Sequence, residues 1–335
     1  MPSACTGDEF RLGRWQHVRG IHQGAELRSR NEALTCRVSG AACTSSNNDS
    51  ASSPHACSSW EYVNATCGPA LSHARLCRAF RCRNVLIVGD STMASLWNAL
   101  TVFSSHTVRA SSRAPGSPLC PAAPTQAHVL CSGLCKRLAP GGVNVSFWRH
   151  DHLLSHSPLH HLSEHHVRDE HIKCDGWTGT PLQAHPTLLL SRGAHVSEYA
   201  DAERTSEAFH RRRADELIER ALRPHAARLG TATVYVRAHG GALHATRREV
   251  GPLAAPEVPH TTFDWNVIPM VNEATVGRLR AAHLRGVGVV DPTRALAMRQ
   301  DCRENHLHVV SALYLASTWR IIQNALLALT TSDGA

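Results

Sequence analysis

A membrane-spanning helix needs about 18 consecutive apolar residues, and the sequence contains no apolar run close to that length. No internal repeat is visible either. These two absences argue against a chain that crosses a membrane and against a repeat architecture. The opening residues give way at once to Asp8, Glu9 and Arg11, so no signal peptide is seen. We therefore expect membrane association only through a segment that this chain does not contain.

Aromatic residues are also scarce, at 5% of the 335 residues, although seven of them are Trp. These Trp residues lie near the candidate functional segments described below, which would suit contacts with carbohydrate or acyl groups. Packing in the core is the alternative use of so large a side chain. The sequence leaves both uses open.

The charge balance is basic, with a formal net charge of +8 and a pI near 9.1. The basic residues are spread along the chain, and only residues 210–213 form a run. That run borders residues 214–220, a pattern typical of the solvated face of a helix rather than of a phosphate-binding stripe. We expect no nucleic-acid partner, and an acidic glycan or a membrane surface remains open.

The twelve cysteines are concentrated in stretches rich in Ser, Pro and Gly, which is unusual for a cytosolic protein. An even number in such stretches predicts a disulfide framework made in an oxidising compartment. Glycosylation sequons at Asn48, Asn64 and Asn144 agree with secretory passage. We expect the protein in the Golgi lumen or outside the cell.

Two features could hold a metal ion. Cys131 and Cys135 lack a second matching pair for a zinc ribbon. The His-rich stretch at 150–171 includes His161 and His165, but the first His is not followed by the Glu of a metalloprotease signature. We interpret this stretch as a solvated loop of biased composition and predict no bound metal.

Hydrophobic patterning predicts an α/β fold. Short apolar runs predict strands at 84–89, 143–148, 187–190, 232–236 and 286–290. Helical spacing predicts helices at 92–103, 199–209, 212–228, 272–284 and 309–329. Their alternation is typical of a parallel sheet flanked by helices, with ligands bound at the carboxyl ends of the strands. We divide the chain into an irregular, Cys-rich N-terminal segment at 1–83 and a catalytic domain at 84–330.

The Gly89-Asp90-Ser91 turn is the strongest chemical motif. It ends a predicted buried strand and begins a predicted helix, so the Ser91 hydroxyl would stand above the sheet edge, near a helix N-terminus that can stabilise an oxyanion. The alternative is that Asp90 or Ser91 only caps the helix. We expect Ser91 to be a nucleophile, and we expect Arg149 and Arg192 to emerge at the same edge.

A serine nucleophile needs a base, usually an imidazole oriented by a carboxylate. Residues 299–308 carry both kinds of group just before the last predicted helix. We predict that His308 is the base and that Asp301 orients it. Two alternatives stay open, in which Asn305 holds the ring of His308 or Asp301 pairs with His306.

Along most of its length the chain resembles the PC-esterase group of the SGNH superfamily, which includes plant trichome birefringence-like O-acetyltransferases. The resemblance rests on the GDS turn at 88–91 together with several weaker segments. These are the Gly-Arg-Trp stretch at 10–15, the Trp/Cys segment at 60–77, a strand ending in Arg149 and an acidic residue at 145–151, residues 190–195 ending in His195, the Arg237 strand at 235–239, and the Trp/Asn stretch at 263–272.

The resemblance implies an SGNH-hydrolase-like sheet and transfer or hydrolysis of O-acyl groups, most simply acetyl groups, on a glycan through Ser91. It also implies a set of oxyanion or substrate-binding residues: Gly89, Asp90, Ser191, Arg192, Arg149, Arg237 and His195. No cofactor would stay bound, and acetyl-CoA or an acetylated intermediate could serve as the acyl donor.

The chain departs from the family pattern at two positions. Ser191 stands where the family usually has an oxyanion-donating Asn, and Arg192 or Ser191 itself could compensate. Asn305 stands where the family has the Asp three residues before the catalytic His. These departures motivate the alternative hypothesis of a catalytically degenerate protein that keeps the fold and binds or assembles glycans.

Overall fold

The computed structural model of the protein describes part of the chain: residues 14–17, 60–63, 71–102, 106–108, 126–154, 175–193, 195–239, 262–293, 296 and 312–331. Its strands are β1 (Arg14–His17), β2 (Trp60–Val63), β3 (Val85–Gly89), β4 (His106–Val108), β5 (Gln126–Leu130), β6 (Val143–Arg149), β7 (Thr187–Leu190), β8 (Ala232–Val236) and β9 (Val287–Val290). Its α-helices are α1 (His73–Ala79), α2 (Ser91–Asn98), α3 (Thr180–Ala184), α4 (Asp201–Arg204), α5 (Glu207–Leu217), α6 (Arg223–Ala226), α7 (Ile268–Ala281) and α8 (Ala312–Thr331).

Short segments of other helix types connect these elements. A π-helix at Ile218–Leu222 joins α5 to α6, so the three form one continuous helical stretch. The 3-10 helices lie at Ala99–Val102, Asp175–Thr178, Val196–Glu198 and Thr262–Val267.

The main sheet has seven strands in the order β4-β5-β6-β3-β7-β8-β9. The strands from β6 to β9 in this order are parallel to one another, while β4 and β5 form an antiparallel edge. Taken in chain order, the parallel strands follow the 2-1-3-4-5 arrangement of flavodoxin-like folds. The predicted α/β class is therefore confirmed, but the sheet is mixed and only mostly parallel, and β1 and β2 form a separate antiparallel pair.

Both faces of the sheet are covered by helices. Alternate side chains of each strand point to opposite faces, so the apolar residues of one strand pack against helices on both sides. Val85 and Ile87 of β3 pack in a cluster with apolar residues of α1, α2 and α8. Leu86 and Val88 pack on the opposite side, with residues of α5 and α7. Strands buried on both faces read as continuous apolar runs, which explains why these strands were recognisable in the sequence.

The five Trp residues whose side chains the structure describes are buried, at 97, 148, 177, 265 and 319. Three of them donate their indole N–H to a backbone carbonyl: Trp97 to Val145 at 2.8 Å, Trp177 to Leu153 at 2.7 Å, and Trp319 to Leu96 at 2.8 Å. A buried indole needs such a partner. These five Trp side chains therefore pack in the core.

Helix boundaries were predicted less well than strands. The break predicted between helices at 210–211 is wrong, because α5 begins at Glu207 and continues through those residues. Ser206 caps α5 by accepting the backbone N–H of Phe209 at 3.2 Å, and this cap sets the start of the helix. The helix predicted at 272–284 begins earlier, at Ile268, where Pro269 is compatible with the first turn.

Two disulfides join α1 and the turn after it to the loop between β5 and β6. Cys77 pairs with Cys131 and Cys82 with Cys135, at Cα–Cα distances of 5.7 and 5.4 Å. These are the cysteines within the described part of the chain, and each is paired. Because disulfides form and persist in oxidising compartments, the pairs indicate that the protein matures outside the cytosol.

No helix in the described ranges combines the length and the apolar character needed to cross a bilayer.

Several histidines are buried in the core. The ring of His128 stacks on Trp97 at 3.9 Å between centroids, and His225 lies with Nε2 3.1 Å from the carbonyl of His185. The Nε2 of His210 lies 2.9 Å from the carbonyl of Arg204. Desolvation by burial lowers the pKa of His128, His210 and His225 to about 4 each, so these rings are neutral near pH 7.

The two disulfides are expected to stabilise the fold non-additively, because they join the same two segments. A cross-link that closes a loop of 54 residues contributes about 4 kcal/mol by the loop-entropy relation. Once one disulfide is present, the other closes only the small loop formed by the short segments between the paired cysteines, Cys77 to Cys82 and Cys131 to Cys135. This smaller loop contributes about 2 to 3 kcal/mol.

Accordingly, Cys77→Ala with Cys131→Ala, or Cys82→Ala with Cys135→Ala, should each lower the free energy of unfolding by about 2 to 3 kcal/mol, and the quadruple variant by about 7 kcal/mol. Urea denaturation of the oxidised proteins measures this. A quadruple loss equal to the sum of the two pairs would contradict the shared-segment argument.

The buried histidines predict loss of stability on mild acidification. Each ring binds a proton with a higher pKa in the unfolded chain than in the folded one, so its contribution is present above about pH 6.5 and is lost as pH falls towards 4. The slope is at most about 1.4 kcal/mol per pH unit for each histidine. His128→Phe, which keeps a ring on Trp97, should reduce the slope of unfolding free energy against pH. An unchanged slope in folded His128→Phe would contradict this prediction.

Candidate functional site

The predicted nucleophile, Ser91, is the first residue of α2, directly after β3. Its side chain is partly exposed. Asp90 is 0% exposed and caps the helix, with Oδ1 accepting the Thr92 backbone N–H at 2.8 Å and the Thr92 hydroxyl at 2.6 Å. The cap fixes the direction in which the helix leaves the sheet, and so fixes the position of Ser91.

Gly89 permits a close approach between this turn and the loop after β7. A Cβ atom at Gly89 would lie 2.9 Å from the carbonyl oxygen of Ser191 and 2.5 Å from Cγ of Met93. Any larger residue would push the two segments apart. Ser191 is itself 1% exposed, and its N–H donates to the carbonyl of Val88 at 3.3 Å.

The turn lies at the topological switch point of the sheet. From β3 the chain continues to β6 on one side and then crosses to β7 on the other. In doubly wound sheets, the crevice between the carboxyl ends of such strands is where ligands bind. A cavity opens there, lined by residues of the Ser91 helix, of the loop after β7 and of the end of β8, among them Thr92, Ser191, Arg237 and His239.

A second group of polar residues lies at the carboxyl end of β6. Arg149 Nε donates to Asp151 Oδ1 at 3.2 Å, and the other carboxylate oxygen lies 3.7 Å from His195 Nε2. Asp151 is 1% exposed, whereas the side chains of Arg149 and His195 are 40% and 26% exposed. The backbone N–H of His150 donates to the carbonyl of Gly89 at 2.9 Å, which ties this group to the Ser91 turn.

The two other predicted arginines are buried. Arg237 Nη1 donates to Glu273 at 2.6 Å and lies 3.5 Å from Oδ2 of Asp291, which is 2% exposed. Arg192 is 4% exposed and donates from Nη2 to the carbonyl of His210 at 3.2 Å. Arg192 lines a separate cavity with Asp151 and His195, not the cavity that Thr92 and Ser191 share.

Asp151 and Asp291 were not among the predicted site residues. Each follows the last residue of a parallel strand within two positions, as Asp90 does, and this recurrence was the available signal. Asp291 caps its own helical turn in the same way as Asp90, accepting the backbone N–H and the hydroxyl of Thr293. An Asp-x-Thr pattern after a strand therefore predicts a helix cap before it predicts chemistry.

The predicted acid/base residues Asp301, Asn305, His306 and His308 lie outside the described residues, as do His161 and His165. Their roles stay predictions. Within the described residues, the structure brings Ser91, Gly89, Asp90 and Ser191 together in one turn and loop, and it places Arg149 and His195 beside them around Asp151.

Comparison of the chain with protein-family models and with curated proteins found no match. The functional argument therefore depends on the residues and their geometry.

Arg192 and Arg237 should respond differently to the same substitution. Arg237→Met would leave the buried Asp291 carboxylate without its cation, which costs about 3 to 5 kcal/mol in comparable pairs. Among the described residues no carboxylate oxygen lies within ion-pair distance of the Arg192 guanidinium. Arg192→Met therefore removes a buried positive charge and leaves no described carboxylate without its cation. We expect it to be neutral or stabilising. Thermal and urea unfolding of both variants measures the difference, and equal destabilisation would contradict it.

Proposed function

We propose that the chain is a serine-dependent enzyme of the SGNH type that transfers or hydrolyses O-acyl groups of a glycan. The observation that carries the proposal is the position of Ser91. It begins α2 at the switch point of a parallel sheet, partly exposed, next to the loop that starts at Ser191. This is where a nucleophile can reach a ligand bound at the strand ends.

In the proposed reaction the Ser91 hydroxyl attacks the carbonyl carbon of an acyl ester or thioester, and His308 takes the hydroxyl proton. The tetrahedral intermediate collapses, and the leaving alcohol or thiol takes that proton from His308. A sugar hydroxyl or water then attacks the acyl-Ser91 ester and gives its proton to the same imidazole. The second tetrahedral intermediate collapses with cleavage of the bond between the acyl carbon and Ser91 Oγ, and Ser91 Oγ takes that proton back from His308. Asp301 would orient the ring in both steps.

The oxyanion of the tetrahedral intermediate would be held by backbone N–H groups at the start of α2 and in the loop after β7. The Thr92 N–H is already engaged by the Asp90 carboxylate, so it is not a candidate donor. The Ser191 loop is supported as the second contributor because its backbone approaches Gly89 closely. The positive end of the α2 dipole would add to the stabilisation.

Arg149 and His195 would contact the glycan. Both are partly exposed at the same sheet edge, and Arg149 is oriented by its hydrogen bond to the buried Asp151 carboxylate, 3.7 Å from His195 Nε2. A side chain held as Arg149 is can hydrogen-bond sugar hydroxyls without first being ordered. The acyl group would most simply be acetyl, delivered by acetyl-CoA or an acetylated intermediate. The disulfides are consistent with an enzyme that acts in the Golgi lumen or outside the cell.

A catalytically degenerate glycan-binding protein is the second candidate. It is favoured by the similarity between the turns at Asp90 and Asp291, since capping alone accounts for the hydrogen bonds of both carboxylates given above. Ser191 in place of the oxyanion Asn points the same way, because loss of one such donor costs about a hundredfold or more in rate.

Substitution of the nucleophile separates the two candidates. Ser91→Ala should lower turnover of an activated acetyl ester at least about a thousandfold, because the other residues of a catalytic unit contribute little without it. Ser95→Ala is the matched control: it removes the same hydroxyl one turn along α2, where Ser95 Oγ donates to the Ser91 carbonyl at 3.2 Å. The control should keep activity within severalfold.

His308→Ala should be nearly as damaging as Ser91→Ala, and Asp301→Asn should lose less. Ser91→Ala and Ser95→Ala should unfold within about 1 kcal/mol of wild type, since neither removes a core side chain. Unchanged turnover in folded Ser91→Ala would refute the mechanism. Glycan binding by a wild-type protein that turns over no acyl ester would favour the degenerate protein.

A further inference from the structure

The edge of the sheet opposite to the candidate site carries the exposed large hydrophobic side chains of the described residues. Leu134 is 57% exposed, Leu138 76% and Leu229 86%. Leu134 and Leu138 precede β6, and Leu229 precedes β8. Since both strands run away from this edge towards the site, the leucines lie at the amino ends of the parallel strands.

Covalent and hydrogen bonds hold these segments together as one surface. The disulfides Cys77–Cys131 and Cys82–Cys135 fix the loop that carries Leu134 and Leu138 to the turn after α1. Arg83, in that turn, donates from Nη1 to the Gly230 carbonyl at 3.1 Å and so connects the turn to the residue next to Leu229. We call residues 78–84, 131–142 and 227–231 the amino-end face.

The amino-end face is cationic and contains no carboxylate side chain. Its sequence includes Arg78, Arg81, Arg83, Lys136, Arg137 and Arg228, and no Asp or Glu. Elsewhere, several surface arginines of the described chain have carboxylate partners, as Arg211 does with Glu207 at 2.6 Å and Arg220 with Asp175 at 2.7 Å. No ion pair among the described residues involves the exposed Arg78, Arg83, Lys136 or Arg137.

The exposed leucines, on loops held by disulfides, and the exposed cations Arg78, Lys136 and Arg137 fit one kind of partner. Lipid phosphates and anionic headgroups attract Arg and Lys, while leucine side chains enter the boundary between headgroups and acyl chains. A soluble polyanion would engage the cations but would leave the leucines in water. We propose that the amino-end face docks on an anionic lipid surface.

This orientation keeps the candidate site accessible. Parallel strands place their amino and carboxyl ends at opposite edges of a sheet, so a membrane at the amino-end face would lie on the far side from Ser91. Docking would hold the chain at a membrane without inserting a helix, and the acceptor would reach the site from solution. The interaction does not depend on the proposed chemistry.

Vesicle flotation of the full, oxidised chain tests the charges. The protein should float with phosphatidylcholine vesicles that contain phosphatidylserine and not with phosphatidylcholine alone, and added salt should weaken binding. Lys136→Gln with Arg137→Gln should weaken binding about 25-fold, at about fivefold for each charge. Arg211→Gln with Arg212→Gln is the matched control, because it removes the same charge from adjacent residues of α5 and should change binding less than about twofold.

Substitution of the exposed leucines tests the apolar contribution to vesicle binding. Leu138→Ser with Leu229→Ser should weaken vesicle binding about tenfold or more, because two apolar side chains no longer leave water. Phe at both positions should restore or strengthen binding. These side chains are exposed, so the variants should unfold like wild type. Ser91→Ala should float like wild type, which separates docking from catalysis.

Three results would overturn the proposal. The first is no flotation with anionic vesicles at low salt. The second is an equal loss in the Lys136/Arg137 and Arg211/Arg212 variants, which would mean that only net charge matters. The third is full binding by the leucine variant together with competition by soluble polygalacturonate, which would assign the face to a polyanion instead.

Discussion

Burial of β3 on both faces of the sheet is the constraint on which the rest of the structure depends. Val85, Leu86, Ile87 and Val88 are each 0% exposed, so the strand tolerates no polar side chain until it ends. The turn after Gly89 is the first place where one can appear. Because β6 and β7 run parallel to β3 on either side, the residues that follow these strands emerge at the same edge. The site is therefore a consequence of the sheet, and the GDS turn is one part of it.

The sequence predicted those features that depend on local pattern. Strands buried on both faces are continuous apolar runs, and β3, β7 and β8 could be recognised in this way. The antiparallel strand β5 (Gln126–Leu130) was not predicted, because its His128 looks polar in sequence and becomes a core residue only by stacking on Trp97. Helix α1 was also missed, since it is short and is held by the Cys77 disulfide and by tertiary contacts such as that of its C-cap residue Phe80 with Trp319.

The candidate site shows the same division. Arg149 and His195 were predicted from separate segments, and the structure brings both to Asp151. What joins them is a carboxylate that becomes important only in three dimensions, when the ends of β6 and β7 lie on either side of β3. Arg192 and Arg237 were predicted by position along the chain, but each direction depends on packing: one guanidinium turns to His210 and the other to Asp291. The position of each arginine in the sequence predicts the edge of the sheet at which it lies, whereas packing determines which group its guanidinium contacts.

Charge is distributed differently at the two ends of the strands. At the carboxyl ends, Arg149 and Arg237 contact buried carboxylates, so their charges are compensated within the fold and contribute little field at the approach to Ser91. At the amino ends, the exposed cations have no carboxylate in the same segments. Part of the formal charge of +8 is therefore concentrated where no candidate chemistry lies. A neutral glycan or ester would not need that field to reach Ser91, whereas an anionic surface would be attracted by it to the opposite edge. The basic composition is better explained by the partner of the amino ends than by the ligand of the site.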